Sequence, residues 1–309
     1  RLEKEVLAEI SKEELWKHVE YLCGVGEKFS GSPEEKRACD YIVESLREYG
    51  VPIGVYEFDA FLSYGRAPRD KAELSVVYPE NFSVKCQSHA MSGSTPLIEE
   101  ELVDVGAGEL EDYEGKDVKG KVVLVDFAAL WAPEKLYIAQ EKGAKAQITV
   151  SGDPVIHDMV VTTIWGTPTR ESSARIPNIP IVSVTNEDGL RLRELCKRGP
   201  VKVKMIVKVW RGWKKVMLPV ATIKGAEEPD KYFLVHGHYC SWGDGMTDNV
   251  GGNALFIEMA KIFWKHRDQL KRGVKIAWWP GHSHGRYAGS TWFVDNFWED
   301  LNKNCIAHM

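Results

Sequence analysis

Apolar and polar positions follow two different periods along the chain, and the first stretch has the period of helices. Leu15, Val19 and Leu22 fall on one helical face after the capping box Ser11-Lys12-Glu13-Glu14. A second box, Ser32-Pro33-Glu34-Glu35, places proline at the first helical position of another apolar-periodic stretch. We therefore predict two N-terminal helices, followed by an extended segment.

From about residue 72 the pattern changes to the alternation that is typical of strands. Leu74, Val76 and Tyr78 alternate with polar residues, and a third capping box at Thr185 opens a helix. This block is predicted to be rich in β-structure, with strands at 102–105, 121–126, 146–150 and 201–210 and helices at 134–142 and 186–197.

The last third of the chain alternates strands with helices. Strands are predicted over 216–223, 232–235 and 274–279, and helices over 250–266 and 289–297. Buried strands that alternate with helices are typical of α/β sheets. The fold class predicted here is therefore α/β, a mixed sheet flanked by helices and interrupted by a β-rich α+β block.

Composition narrows the classes of function. A length of 309 residues favours two domains, and a net charge of −5 without a basic stripe argues against a nucleic-acid partner. The apolar runs are strand-sized, far below the ~20 residues that span a bilayer, so no membrane span is predicted. Assembly of the chain into a homo-oligomer is compatible with the sequence.

Six scattered cysteines without a CxxC pair slightly favour a reducing, cytoplasmic compartment over a disulfide scaffold. The sequon Asn81-Phe82-Ser83 is compatible with secretion, and the chain shows no signal peptide, so localisation is left open.

Candidate chemistry lies where strands end. In the segment FLVHGHYCSWGDGMTDNVGGNA (233–254), His236 and His238 are two residues apart and share one face of a strand. Asp248 and Asn249 follow just before the next helix. Ligand sites in open α/β sheets lie at the carboxyl ends of strands, and nitrogen and oxygen donors there suit a cation.

A second turn of the same kind follows the next strand. The segment WWPGHSHGRYAGSTWF (278–293) places His282 and His284 between an apolar strand and a helix. Two strand-end turns thus supply four histidines and one aspartate, which favours a metal-binding or catalytic role for some of them.

The stretch LVHGHYCSWGDGMTDNVGGNALFIEMAKIF resembles the first zinc-binding stretch of the co-catalytic zinc aminopeptidases. That family includes aminopeptidases, glutamate carboxypeptidase and the catalytically inactive transferrin receptor. The resemblance implies a zinc-exopeptidase-like fold, with His238 as a zinc ligand and Asp248 as the carboxylate that bridges two zinc ions. Asn249 and Gly252 match the next positions of the family pattern.

The resemblance extends over nearly the whole chain. The stretches ELVDVG, GKDVKGKVVLVD, EKGAKAQI and IPNIPIVSVTNEDGLRLREL resemble a protease-associated domain. We predict an N-terminal part of the peptidase-like domain over 1–71, a protease-associated domain over 72–212, and the central part of the peptidase-like domain over 213–309. The family's two remaining ligands come from later strands, so the chain is expected to continue beyond Met309.

The sequence departs from the family pattern at the residues that matter for chemistry. Cys240 stands where the family has the aspartate that orients the zinc histidine, and we expect it to be a buried thiol that supports the site. The family's adjacent Glu-Glu, a general base and a zinc ligand, is replaced by His282 and Ser283. One extra residue before Gly289-Ser290 could instead bring His284 into the ligand position.

Two hypotheses follow. The first is a zinc-dependent peptidase, an aminopeptidase-type hydrolase of peptides or small amides. In it His238, Asp248 and His284 hold metal, His282 is the base, and Cys240, Asn249 and His236 support them. Zinc is the expected cofactor, with two ions in a full-length protein. The second is a non-catalytic homologue that keeps the fold as a binding or structural protein.

Overall fold

The computed structural model describes residues 2–127 and 131–309, with side chains described from residue 4 onward, and the chain divides into two compact units. The first unit comprises the described residues up to Ala60, together with Trp213–Ser283 and Tyr287–Met309. The second comprises the described residues of Phe61–Gly212 and His284–Arg286.

The helices and strands of the N-terminal half, in chain order, are α1 (Leu2–Ala8), α2 (Lys12–Gly24), α3 (Pro33–Glu48), β1 (Ile53–Ser63), β2 (Lys71–Tyr78), β3 (Phe82–Val84), β4 (Cys86–Ser88), β5 (Thr95–Asp104), β6 (Val122–Asp126), α4 (Ala132–Glu141) and β7 (Ala146–Val150). Those of the C-terminal half are β8 (Ile181–Val184), α5 (Asn186–Arg198), β9 (Val201–Lys208), β10 (Arg211–Ile223), β11 (Glu228–His238), α6 (Gly251–Lys265), β12 (Arg272–Trp279), α7 (Ala288–Asn304) and β13 (Cys305–His308).

A five-stranded sheet with the order β1-β10-β12-β11-β13 forms the centre of the first unit. β11 runs parallel to both β12 and β13, whereas β10 runs antiparallel to β12. The sheet is therefore mixed, which confirms the predicted α/β class.

Local signals place the helices that pack on this sheet. Ser11 Oγ accepts a hydrogen bond from the Glu14 N–H at 3.2 Å, and Ser32 Oγ accepts one from the Glu35 N–H at 3.1 Å. Both capping residues thus satisfy a backbone donor that the helix cannot satisfy itself. One core then joins α2, α3, α6 and β12 through buried side chains that include Leu22, Ile42, Leu46, Ile257 and Trp278.

The second unit contains an eight-stranded sheet with the order β3-β2-β9-β5-β6-β7-β8-β4. Strands β5 to β8 are parallel neighbours, and the remaining pairs are antiparallel. Thr185 Oγ1 caps α5 by accepting the Asp188 N–H at 3.1 Å. This is the β-rich α+β block that the sequence predicts.

The structural division and the predicted domain boundaries differ at one end. The second unit begins at Phe61, inside β1, whereas the protease-associated domain was placed at 72–212. A boundary at Gly212 lies inside β10. The domain limits inferred from the sequence stay predictions, because a compact unit is defined by contacts and a family domain by sequence similarity.

Helix α5 approaches β7 at a glycine, which generates a stability prediction. A Cβ added to Gly189 would lie 2.2 Å from Val150 Cγ1, so Gly189→Ala is expected to cost about 1–3 kcal/mol of unfolding free energy through overpacking. Gly152→Ala is the matched control, because nothing lies within 4 Å of its Cβ position. Urea denaturation compares the two; equal midpoints would contradict the close packing of α5 on β7.

Candidate functional site

The parallel pairing of β11 with β12 brings two strand ends together in the first unit. His238, the last residue of β11, is the register partner of Trp279, the last residue of β12. The Tyr239 N–H continues the ladder by donating to the Trp279 carbonyl at 3.2 Å. The turns that follow both strands therefore start side by side, as expected for a ligand site in an α/β sheet.

His238 is buried, and both of its ring nitrogens face hydrogen-bond acceptors. Nδ1 lies 2.8 Å from the Cys240 carbonyl oxygen, and Nε2 lies 2.8 Å from Asp248 Oδ1. A carbonyl and a carboxylate can only accept, so both nitrogens must donate for both bonds to form. This arrangement is that of a charged imidazolium.

The electrostatics of the pair agree with this geometry. Burial by itself lowers the pKa of His238, but the hydrogen bonds to Asp248 and Cys240, with the charges nearby, outweigh burial and raise the pKa to about 10. The hydrogen bond from His238 holds the pKa of Asp248 below its usual value. Because the folded-state pKa of His238 lies above its ordinary value near 6.5, its stabilising contribution is present below pH ~6.5 and is lost as the pH rises towards 10.

His282 lies directly against this pair. Its ring stacks on His238, with ring centroids 4.1 Å apart and planes inclined by 9°. The Tyr287 ring meets the His282 ring edge-on, with ring centroids 4.8 Å apart. The structure thus brings His238, Asp248 and His282 together in one unit, as the sequence analysis expects.

Cys240 supports the site through its main chain as well as its sulfur. Its carbonyl accepts from His238, and its buried Sγ lies 3.4 Å from the His282 N–H, which donates to it. The carbonyl therefore orients the histidine ring in place of the aspartate that the family resemblance calls for. Within the part of the chain that the structure describes, none of the six cysteines forms a disulfide.

The Asn249 side chain lies between Gly237 of β11 and Gly252 of α6. A Cβ on Gly252 would lie 2.4 Å from Asn249 Oδ1, and one on Gly237 would lie 2.6 Å from Asn249 Nδ2. The amide groups of Asn249 and Asn253 donate to the His238 carbonyl at 3.5 and 3.0 Å. The two glycines leave room for these contacts, which tie the end of β11 to α6.

His236 contacts a different set of residues from His238. Its Nε2 lies 3.3 Å from His308 Nδ1, and its ring lies 5.4 Å from the Trp279 ring. Burial and the neighbouring His308 lower the pKa of His236. Two histidines that share a strand thus have opposite pKa shifts.

His284 belongs to the second unit and is fully buried there. Its carbonyl accepts from the Ser63 N–H at 2.8 Å, and its ring meets the Tyr64 ring edge-on at 5.5 Å. The first contact is a backbone hydrogen bond, and the second is packing between two rings. Its role as a metal ligand stays a prediction.

Across residues 2–127 and 131–309, no group of three or more His, Cys, Asp or Glu side chains is arranged to hold a metal ion. The pair His238 and Asp248 supplies one nitrogen and one oxygen donor. A zinc-binding histidine usually donates its other ring N–H to a carboxylate or a backbone carbonyl, and His238 does so to Cys240. The residues present therefore fit two ligands of a zinc ion.

Sequence reasoning missed two buried residues close to these turns. Lys28 donates to the Asp244 carbonyl at 2.8 Å, and Ser30 Oγ accepts from the Gly281 N–H at 2.9 Å. Both lie in an irregular segment between α2 and α3, and no sequence pattern marks them.

Comparisons with known proteins agree with this fold. Residues 94–192 match the model of the PA domain, and residues 220–306 match the model of peptidase family M28. Part of the chain is thus similar to a PA domain and another part to the M28 peptidase family, and the resemblance read from its motifs is confirmed.

Two curated relatives illustrate the likeness. The chain is 24% identical to a probable glutamate carboxypeptidase VP8 of Zea mays, covering 92% of this chain and 48% of that protein. It is also 24% identical to carboxypeptidase Q of Xenopus laevis, covering 92% of this chain and 61% of that protein. The chain thus spans about half the length of these relatives.

Solved structures show the same fold. An aminopeptidase from Aneurinibacillus sp. strain AM-1 superposes with a TM-score of 0.75 at 20% identity, covering 96% of this chain and 69% of that one. A zinc aminopeptidase from Bacillus subtilis gives a TM-score of 0.69 at 21% identity, covering 96% and 67%. No helix in the described part of the chain is long and apolar enough to cross a membrane.

The two strand histidines generate a titration prediction. In metal-free protein at pH 8, His238 is expected to be an imidazolium with protons on both ring nitrogens, whereas His236 is expected to be neutral. Long-range ¹H–¹⁵N correlation spectra distinguish the two states, and His236 serves as the internal control. A His238 that titrates near pH 6.5 would contradict the assigned contacts with Asp248 and Cys240.

Proposed function

We propose that this protein is a zinc-dependent peptidase-type hydrolase, and that His238 and Asp248 are two of its metal ligands. The observation that carries the proposal is the His238–Asp248 pair at the end of β11, with the second ring nitrogen fixed by the Cys240 carbonyl. A histidine oriented in this way and a carboxylate beside it are the donors that zinc takes in hydrolases.

Further donors are needed for a complete centre, because a catalytic zinc ion has three protein ligands and one open position. His284 is the third ligand predicted from the sequence, and it keeps that role only as a prediction. The zinc aminopeptidase found among the structural relatives supports zinc as the metal.

A zinc ion bound here would supply Lewis-acid polarisation of an amide carbonyl. The chain's own residues would do the remaining work. Asp248, whose side chain is 71% exposed, is open to a ligand that displaces its bond to His238. His282 is the candidate general base, since an imidazole can take a proton near neutral pH and its ring is fixed by His238 and Tyr287.

The substrate class that we propose is a peptide or another small amide, cleaved in the manner of an aminopeptidase. The M28 segment and the aminopeptidase fold support the class. Membership of a homo-oligomer stays a prediction.

One observation favours a second candidate, a non-catalytic homologue that binds a partner. The positions where the resemblance places two adjacent carboxylates are occupied by His282 and Ser283. A hydroxyl is a weaker metal ligand than a carboxylate, so a protein that has lost the chemistry and kept the fold would carry this kind of change.

Metal content separates the two candidates. The full-length protein, purified without chelators or a metal-binding tag, is expected to contain zinc, up to two ions per chain, by elemental mass spectrometry. No bound metal after zinc is supplied would reject the hydrolase and support the binding protein.

Substitution of the two strand histidines tests the ligand assignment. His238→Ala is expected to lower zinc affinity by more than about 100-fold, the upper range for losing an outer partner of a ligand. His236→Ala is the matched control and should change it little, because His236 contacts His308 and Trp279 instead. Chelator competition measures both zinc affinities. Equal losses of affinity in the two variants would contradict the assignment of His238 as a ligand.

The general base is tested by activity at constant metal content. His282→Ala is expected to lower kcat by about 10²–10⁴-fold on an aminoacyl amide while zinc content is retained. Ser283→Ala, one residue away, is the control and should leave kcat within a few-fold of wild type. A parallel loss of zinc in His282→Ala would instead make His282 a ligand.

A further inference from the structure

A short, partly buried segment between α2 and α3, Glu27–Gly31, is hydrogen-bonded to both site turns of the first unit. We name it the anchor segment. It has no regular secondary structure, yet Lys28 is 1% exposed and Ser30 is fully buried. A charged side chain is rarely buried to this degree unless its donors are satisfied.

Lys28 satisfies all three of its ammonium donors with backbone carbonyls. Two are the carbonyls of Leu22, near the end of α2, and of Gly26, just after that helix, at 3.1 and 2.8 Å. The third is the Asp244 carbonyl at 2.8 Å. Asp244 lies four residues before Asp248, so the lysine joins the end of a helix to the turn that carries the proposed metal ligand.

Two more bonds attach the anchor segment to the same turn. The Ser241 N–H donates to the Lys28 carbonyl at 3.1 Å, and the Gly243 N–H donates to Glu27 Oε1 at 2.9 Å. The anchor segment therefore contacts Ser241, Gly243 and Asp244 of this turn. The turn that joins β11 to α6 contains two glycines and no proline, so its own residues restrict its backbone weakly, and these bonds help to set its path.

The other end of the anchor segment holds the second turn. Ser30 Oγ accepts from the Gly281 N–H at 2.9 Å, in a fully buried environment. Gly281 directly precedes His282. The Gly31 N–H donates to the buried carboxylate of Glu35 at 2.7 Å, so the residue that follows Ser30 is tied to α3.

We propose that Lys28 and Ser30 are positioning residues for the candidate site, Lys28 for the turn that carries Asp248 and Ser30 for the turn that carries His282. Catalytic groups must be held to within about half an ångström, and such supporting bonds are what holds them. The effect on metal binding and turnover rests on the proposed function, whereas the effect on the two turns does not.

The test measures each turn separately by amide hydrogen exchange of the whole, metal-free protein. Lys28→Met is expected to speed exchange over 239–250 by 10-fold or more, because the Asp244 carbonyl in this turn loses a charged donor that ties it to α2, and to leave 281–283 within two-fold. Ser30→Ala is expected to do the reverse, with about 2- to 10-fold faster exchange at 281–283, the factor that one hydrogen bond provides. Lys17→Met, on the exposed side of α2, is the matched control.

Turnover and zinc affinity give the second readout. Ser30→Ala is expected to lower kcat with KM unchanged, since it displaces His282, and Lys28→Met is expected to weaken zinc binding, since it displaces Asp248. Faster exchange spread evenly over the first unit would reduce both residues to general stability and overturn the proposal, as would unchanged exchange in both variants.

The two proposals fail in different ways. If wild-type protein binds no zinc and cleaves no amide, the proposed function falls, while the exchange pattern still decides the positioning roles. If Lys28→Met does not fold, Ser30→Ala alone decides, because it removes a single neutral hydrogen bond.

Discussion

The parallel pairing of β11 with β12 is the constraint on which the candidate site depends. It places the last residues of the two strands opposite one another, so the turns after His238 and Trp279 begin at the same edge of the sheet. Residues separated by more than 40 positions in sequence thereby meet, including His238 and His282, whose rings stack. A shift of this register by one residue would turn His238 to the opposite face and separate the pair.

His238 shows how a side-chain substitution can be offset by the main chain. The family resemblance calls for an aspartate at position 240, and the cysteine there cannot act as a carboxylate. Its carbonyl takes over as the acceptor for Nδ1, at 2.8 Å. A carbonyl is neutral, so the charge on the imidazolium is balanced chiefly by Asp248. The Cys240 sulfur accepts from the His282 N–H, with the nitrogen 3.4 Å away.

Features with a local cause could be predicted from the sequence. The capping residues Ser11, Ser32 and Thr185 begin helices where their boxes indicate, because a cap needs only residues three positions apart. Strand β7 was placed correctly at Ala146–Val150, where apolar residues alternate with Gln147 and Thr149. The closeness of His238, Asp248 and His282 followed from strand-end logic.

Features with a distant cause could not be predicted. The Lys28–Asp244 and Ser30–Gly281 bonds join residues 216 and 251 positions apart, and neither Lys28 nor Ser30 lies in a recognisable motif. The antiparallel direction of β10 depends on its partner β12 and not on its own composition. The grouping of His284 with Ser63 and Tyr64 likewise comes from tertiary contacts, since its neighbours in sequence indicate the site turn.

The discontinuity of the first unit also bears on the order in which a nascent chain can fold. Helices α2 and α3 are synthesised before the second unit, but their core partners Ile257 and Trp278 follow only after residues 61–212 of that unit. The second unit is almost continuous in sequence, so it can fold first. During that time the apolar face of α2 and α3 stays exposed. Chaperones that shield apolar helices during translation would therefore be of most use to the segment that carries α2 and α3.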